Sequence, residues 1–156
     1  MYARAIIPSP ASPASPASPA CTWQRAYPGR EDQLRVTRAD LRGVLAGCPC
    51  ADPVIFLANE LAANAIRHSR SRVTGWFTVR VYDAPGDHVR AEVEDQGSAW
   101  DADLYASPEH HGLWFLRTTA GTFGAGTGRA GWIVWFQISY PQPATCTDAT
   151  ASAKGA

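Results

Sequence analysis

No sign of charge is in excess in this chain: 14 Lys and Arg balance 14 Asp and Glu, for a formal net charge of zero. Without a net positive field the chain is not drawn in bulk to nucleic acid or to an anionic membrane. Long apolar runs are missing too, so nothing in it reads as a transmembrane span. Prolines interrupt the first twenty residues, which leaves no continuous apolar stretch of the kind a secretory leader needs. A cytoplasmic location is therefore expected, with Cys21, Cys48, Cys50 and Cys146 as free thiols. Cys48-Pro49-Cys50 is tighter than the two-residue spacing of structural zinc sites, and no second Cys/His pair complements it. Lysine is nearly absent, one against thirteen arginines, a bias that fits a GC-rich coding sequence better than a special chemistry.

What is present suffices for one domain. The 156 residues are 46% hydrophobic and include six tryptophans, enough to bury a sizeable core. Residues 1–20 hold an Ala-Ser-Pro repeat, in which proline removes backbone donors and the small side chains offer little to bury. They read as a disordered or polyproline-like tail, as do residues 142–156 at the other end. The folded domain is expected over residues 21–141.

Within it the periodicities alternate. Residues 21–27 read as a short strand. From Glu31 to Ala46, Leu34, Leu41, Val44 and Leu45 form an apolar stripe, with Arg35, Arg38 and Arg42 away from it on a solvated face. Asp52-Pro53 reads as an N-cap and first helical position, opening a helix to about His68. Gly75–Tyr82 and His88–Asp95 read as strands joined by a turn at Ala84-Pro85-Gly86-Asp87. In the second strand Val89, Ala91 and Val93 face one way and Arg90, Glu92 and Glu94 the other, so the charged face is expected to be wet. Residues 96–108 read as a loop, 112–119 as a short helix, 121–131 as a glycine-rich segment and 132–140 as a closing strand. The expected fold is α+β, a two-layer α/β sandwich with helices on one face of a mixed, mainly antiparallel sheet.

Three segments carry candidate chemistry. On the second helix, Glu60, Asn64 and His68 fall four residues apart and so share a side. Asn64 offers a neutral oxygen suited to Mg²⁺ that already carries phosphate charge, and Glu60 a carboxylate that can accept a proton. His68, at the helix end, suits the helix dipole as a cation and reads as structural. In the second segment Asp95-Gln96-Gly97 ends a strand, where a fixed carboxylate can accept a hydrogen bond from the exocyclic amine of adenine; the carbonyl of guanine would be refused. In the third, Gly112-Leu113 opens a helix whose free N–H groups favour phosphate. The adjacent His110 and His111 have no evident third metal ligand and read as surface residues. Each segment taken alone has an ordinary structural reading.

Taken in order, E-L-x-x-N-A at Glu60–Ala65, D-x-G at Asp95–Gly97 and H-G-L at His111–Leu113, followed by a glycine-rich stretch, resemble the GHKL ATPase superfamily over roughly residues 23–140. The likeness is strongest to the short anti-sigma-factor serine/threonine kinases of the RsbW type. The resemblance implies the two-layer Bergerat ATP-binding fold with Mg-ATP between helices and a lid. It implies Glu60 as general base and Asn64 as the Mg²⁺ ligand. Asp95 would contact adenine, with Gly97 giving room, and Gly112 and Leu113 would begin the phosphate-side helix. Residues 121–131 would lie beyond the lid, at its closing turn. The implied activity is phosphorylation of a serine on an antagonist protein of the STAS type, with or without binding of a sigma factor. The implied partners are those proteins; neither nucleic acid nor membrane is among them, and a homodimer is usual in the family. The chain departs from the pattern at His110, where a glycine is usual, and at Ser98, where relatives often carry another. Both stiffen the lid, so a nucleotide-dependent binding module with little or no kinase activity stands beside the kinase as a second expectation.

Overall fold

The computed structural model describes residues 21–68, 74–97 and 111–141. Both tails, the segment expected to be a lid, Ser98, His110 and Cys146 lie outside these residues. The described chain runs β1 (Trp23–Pro28), α1 (Gln33–Val44), α2 (Ala51–His68), β2 (Trp76–Ala84), β3 (His88–Asp95), α3 (His111–Thr119), β4 (Thr122–Thr127) and β5 (Trp132–Ser139). The strands form one open sheet in the order β1-β2-β3-β5-β4. All four pairings are antiparallel, so the expected mixed sheet is corrected to an antiparallel one. The α+β, two-layer expectation agrees with the arrangement.

Alternation along the strands decides which face the helices cover. Phe77, Val79 and Val81 of β2, Val89, Ala91 and Val93 of β3, and Val134, Phe136 and Ile138 of β5 are all buried. The register sets them in cross-strand rows, such as Val79–Val93–Val134 and Val81–Ala91–Phe136. They join one core with Leu41 and Leu45 at the end of α1, Val54, Leu57, Ala58, Leu61, Ala62, Ala65 and Ile66 of α2, and Leu116 of α3. On β1, Tyr27 stacks on its cross-strand partner Phe77 with ring centroids 5.3 Å apart. Its hydroxyl and the Arg25 guanidinium both donate to Asp40 Oδ2 at 2.7 Å, which fastens α1 to the sheet edge. Helix α1 exposes Arg35, Arg38 and Arg42, as its stripe requires.

Two local expectations are corrected. Helix α2 begins at Ala51, one residue before Asp52. Cys50 carbonyl accepts the Val54 N–H at 3.2 Å, so Asp52 acts inside the first turn, where an acid favours the dipole. Pro53 sits in the same turn, where its missing donor leaves no intrahelical bond unmade. The second correction concerns residues 122–127, which form a strand rather than part of a turn. Three small residues make that strand hard to see in the sequence, and one of them has a steric reason. A Cβ on Gly124 would meet the Trp135 indole at 2.8–3.0 Å, so glycine lets the ring lie across the edge strand.

The face away from the helices is not wet along β3. Glu92 and Glu94 are 8% and 3% exposed, because Arg80 on β2 and Arg90 on β3 itself supply counter-charges. Arg80 Nη2 donates to Glu94 Oε2 at 2.5 Å, and Arg90 donates to Glu92 Oε1 at 2.8 and 2.9 Å while stacking 4.0 Å from the Trp135 ring. Glu94 Oε1 also accepts the Ala130 N–H at 2.7 Å. It thereby holds the β4–β5 turn, which closes through Gly128 N–H to Gly131 carbonyl at 2.9 Å.

Burial pushes the Glu94 carboxyl up, but the N–H groups of Ala130 and Arg129 and the Arg80 guanidinium outweigh it, leaving a net depression. A depressed carboxyl contributes stability that is present above its unfolded pKa and lost as pH falls through the folded one. Glu94→Gln keeps an oxygen for Ala130 and loses the charge opposite Arg80. It should cost about 1.5–3 kcal/mol at neutral pH in urea unfolding. That difference should shrink as pH falls below the ordinary carboxylate range toward the depressed folded value of Glu94, and should close once the wild-type carboxyl is protonated as well.

Candidate functional site

Strand parity brings the sequence-predicted residues to the helix-covered face. Asp95 follows Val89, Ala91 and Val93 at even spacing, so it points toward the helices, opposite to Glu92 and Glu94. It is 4% exposed. Its Oδ1 accepts the Gly97 N–H at 2.7 Å, and its carboxylate accepts no other hydrogen bond among the described residues. Burial is the first cause that pushes its carboxyl up; the Gly97 N–H opposes this and the nearby Glu94 charge adds to it, for a net rise. A raised carboxyl binds its proton more tightly folded than unfolded. Ionising Asp95 therefore subtracts from stability as pH climbs from the ordinary carboxylate range through the folded value. A buried acid kept at a cost to stability and offering an acceptor is what a binding site requires.

The chain leaves Asp95 by a turn that only glycines permit. Gly97 has φ +60°, a conformation L side chains rarely adopt. Across from it, Gly131 packs backbone to backbone: an added Cβ would lie 2.4 Å from the Asp95 carbonyl oxygen and 2.6–2.7 Å from Gln96 and Gly97 backbone atoms. The glycine-rich segment thus supports the Asp95 turn directly. Reading that segment as the closing turn of a lid missed this contact.

On α2, Glu60 and Asn64 are half-buried, whereas His68 at the helix end is exposed. The same i+4 line extends back to Phe56, whose ring meets Phe115 of α3 edge-on with centroids 4.8 Å apart. Helix α3 therefore docks on the flank of α2 that carries Glu60 and Asn64. Gly112 and Leu113 lie in the first turn of α3. Next to Glu60, Asn59 Oδ1 is buried with no hydrogen-bond partner. An orphaned buried acceptor costs about 1–3 kcal/mol, so Asn59 joins Phe56 and Gly131 as a residue of this region that the sequence pattern did not single out. The i+3 step from Phe56 to Asn59 was the available signal.

Asp95 stands at the end of β3, and α2 packs against both β3 and α3. A buried carboxylate, a half-buried Glu/Asn pair and a helix start are thus carried by mutually packed elements. Among the described residues no three His, Cys, Asp or Glu side chains cluster to hold a metal ion. A divalent cation recruited by Asn64 would need most of its ligands from elsewhere, as Mg²⁺ on a polyphosphate has. A shallow concavity of about 310 Å³ opens on the opposite face of the sheet, between Thr78, Arg80, Glu94 and Arg129, and is separate from these residues. No helix among the described residues is long and apolar enough to cross a membrane. No protein-family model matches the chain, and no curated protein matches it.

The Gly131 contact predicts a local rule for the glycine-rich segment. Gly131→Ala should destabilise by about 1–3 kcal/mol or more, because backbone must move to admit the methyl. Gly126→Ala, whose methyl would meet nothing within 4 Å, should stay within about 0.5 kcal/mol of wild type. Thermal unfolding of the pair makes the comparison.

Proposed function

We propose that this chain is a Mg-ATP-binding regulatory protein of the GHKL type, acting as a serine/threonine kinase on an antagonist protein in the manner of anti-sigma-factor kinases. The observation that carries the reading is Asp95: a buried, raised carboxyl with one oxygen on the Gly97 N–H and acceptor capacity to spare. An adenine amine suits that acceptor and a guanine carbonyl does not. Glu60 and Asn64, half-buried beside the docked α3, suit a polyphosphate and its cation. In this reading Asn64 would hold Mg²⁺, and Gly112 and Leu113 would offer the N–H groups of the α3 start to the phosphates.

Bound ATP would supply the transferable phosphoryl group. The chain's own part is positioning and one proton transfer: Asp95 fixes the base, Asn64 the metal, and Glu60 accepts the proton of the attacking serine hydroxyl. The protein partners are then a STAS-type antagonist, a sigma factor or both, met in the cytoplasm, with this chain as a monomer or homodimer. Ser98 and His110, standing where related sequences carry glycine, favour a second reading: nucleotide binding retained as a switch, with phosphotransfer weak or lost.

Two measurements separate these readings. Calorimetry should detect Mg-ATP binding in preference to Mg-GTP. Asp95→Ala should weaken ATP roughly 10–100-fold, the worth of one buried hydrogen bond, and erase the preference. Unchanged ATP affinity in that variant would remove Asp95 from the site. Glu60→Ala should lower transfer of labelled phosphate to an antagonist domain by about 10²–10⁴-fold, with ATP affinity within a few-fold of wild type. ATP binding without transfer in the wild-type chain would decide for the module.

A further inference from the structure

The turn between α1 and α2 carries two thiols for which the proposed function has no use. Three backbone bonds shape it: Cys48 N–H to the Leu45 carbonyl at 3.0 Å, Ala51 N–H to the Cys48 carbonyl at 3.1 Å, and Val54 N–H to the Cys50 carbonyl at 3.2 Å. That geometry sets the two sulfurs side by side, with Cys48 Sγ 3.3 Å from Cys50 Sγ. A disulfide is about 2.05 Å long, so bonding requires an approach of only ~1.2 Å.

The two thiols differ in access. Cys48 is half-buried, and Cys50 is 3% exposed. Burial first, then the adjoining Cys48 thiol, pushes the Cys50 thiol up to about 12, with Asp83 adding to the effect. Cys50 is thus poor at attacking a reagent from solution, and Cys48 is the thiol a reagent can reach. Tyr140 completes the cluster: its hydroxyl donates to Asp83 Oδ1 at 2.6 Å and neighbours Cys48. The register sets this cluster at the far end of the sheet from the candidate site, since Asp83 pairs with Val89 whereas Phe77 pairs with Asp95.

The geometry points to a reversible dithiol site at Cys48 and Cys50, oxidised to an intramolecular disulfide by low-molecular-weight disulfides of the glutathione class. In the first step Cys48, as thiolate, attacks one sulfur of the reagent; a mixed disulfide forms, the reagent's S–S bond breaks, and one thiolate leaves and takes up a proton. In the second step Cys50 gives up its proton and attacks Cys48 Sγ, forming the Cys48–Cys50 bond and expelling the second reagent thiol. The reagent is reduced by two electrons and the two cysteines are oxidised by two. Once Cys48 is in the mixed disulfide, its thiol no longer opposes ionisation of Cys50. A bridge spanning only Pro49 is strained, and strained bridges are the easily reduced, switchable ones. Its closure pulls on the carbonyls of Cys48 and Cys50, which receive the Ala51 and Val54 N–H groups in the first turn of α2.

The test needs no substitution at the start, because trypsin releases residues 43–67 between Arg42 and Arg67 with Cys48 and Cys50 as the only cysteines. The native full chain is treated with oxidised glutathione, blocked with iodoacetamide, digested and weighed. The expected peptide is unalkylated and two hydrogens lighter than its reduced form, and dithiothreitol restores two alkylatable thiols. Cys50→Ser should stop with one glutathione on Cys48, whereas Cys48→Ser should carry none on Cys50. The proposal is overturned if the wild-type peptide keeps glutathione on Cys48, if both thiols remain fully alkylatable, or if Cys50 is the residue modified in Cys48→Ser.

Discussion

Three of the last four residues of the central strand are acids, and all three are buried: Glu92, Glu94 and Asp95. Ionised carboxylates leave water only where donors replace it, and the sheet solves this differently on its two sides. On the outer side, Arg80 and Arg90 neutralise Glu92 and Glu94, and Trp135 gives one guanidinium a flat partner. On the helix side Asp95 receives a single backbone N–H. The outer pair can be explained as structure. Asp95 cannot be explained so economically, since an apolar residue at that parity would simply extend the Val93 row.

The elements around Asp95 follow from how the helices cover the sheet. Helix α2 is apolar over most of its circumference because it lies on β2 and β3 with α1 and α3 at its flanks. Its polar stripe is what remains after those contacts, and Phe56 meeting Phe115 sets α3 beside that remainder. Docking by an aromatic pair at the helix flank, rather than by burial of the whole face, leaves Glu60 and Asn64 only half covered. Partial cover keeps a carboxylate and an amide reachable while the surrounding packing restricts their rotamers, as a binding wall needs.

Much of the fold was legible because its signals are local. Alternation in residues 88–95 gave β3 and its two faces, and the Pro-Gly turn gave the hairpin. Four-residue spacing in α2 put Glu60 and Asn64 on one side of the helix, and Asp95 read as the end of β3. Apart from the one-residue offset at the start of α2, the larger misses involve partners remote in sequence. Strand β4 was hidden because Gly124 is chosen for the indole of Trp135 rather than for strand propensity. The dry face of β3 was hidden because Arg80 and Glu94 look individually like solvent-facing charges, and only the pairing of β2 with β3 brings them together. Gly131 was one glycine among several until its backbone met that of Asp95. Glu60, Asn64, Asp95, Gly97, Gly112 and Leu113 were named as candidates through the order of their motifs and the resemblance it carries; the contacts around them could not be read from the sequence.

The β4–β5 turn has an unusual position between the two faces. Glu94 grips it from the outer side through Ala130, and the peptide after Asp95 presses on it from the other through Gly131. Because residues 94 and 95 are adjacent on one pleated strand, a single hairpin is pinned like a hinge leaf between two plates. The Asp95–Gly97 backbone and the Arg80-paired Glu94 carboxylate therefore bear on the same hairpin. The sheet, at this corner, is thin enough for its two surfaces to share one lever.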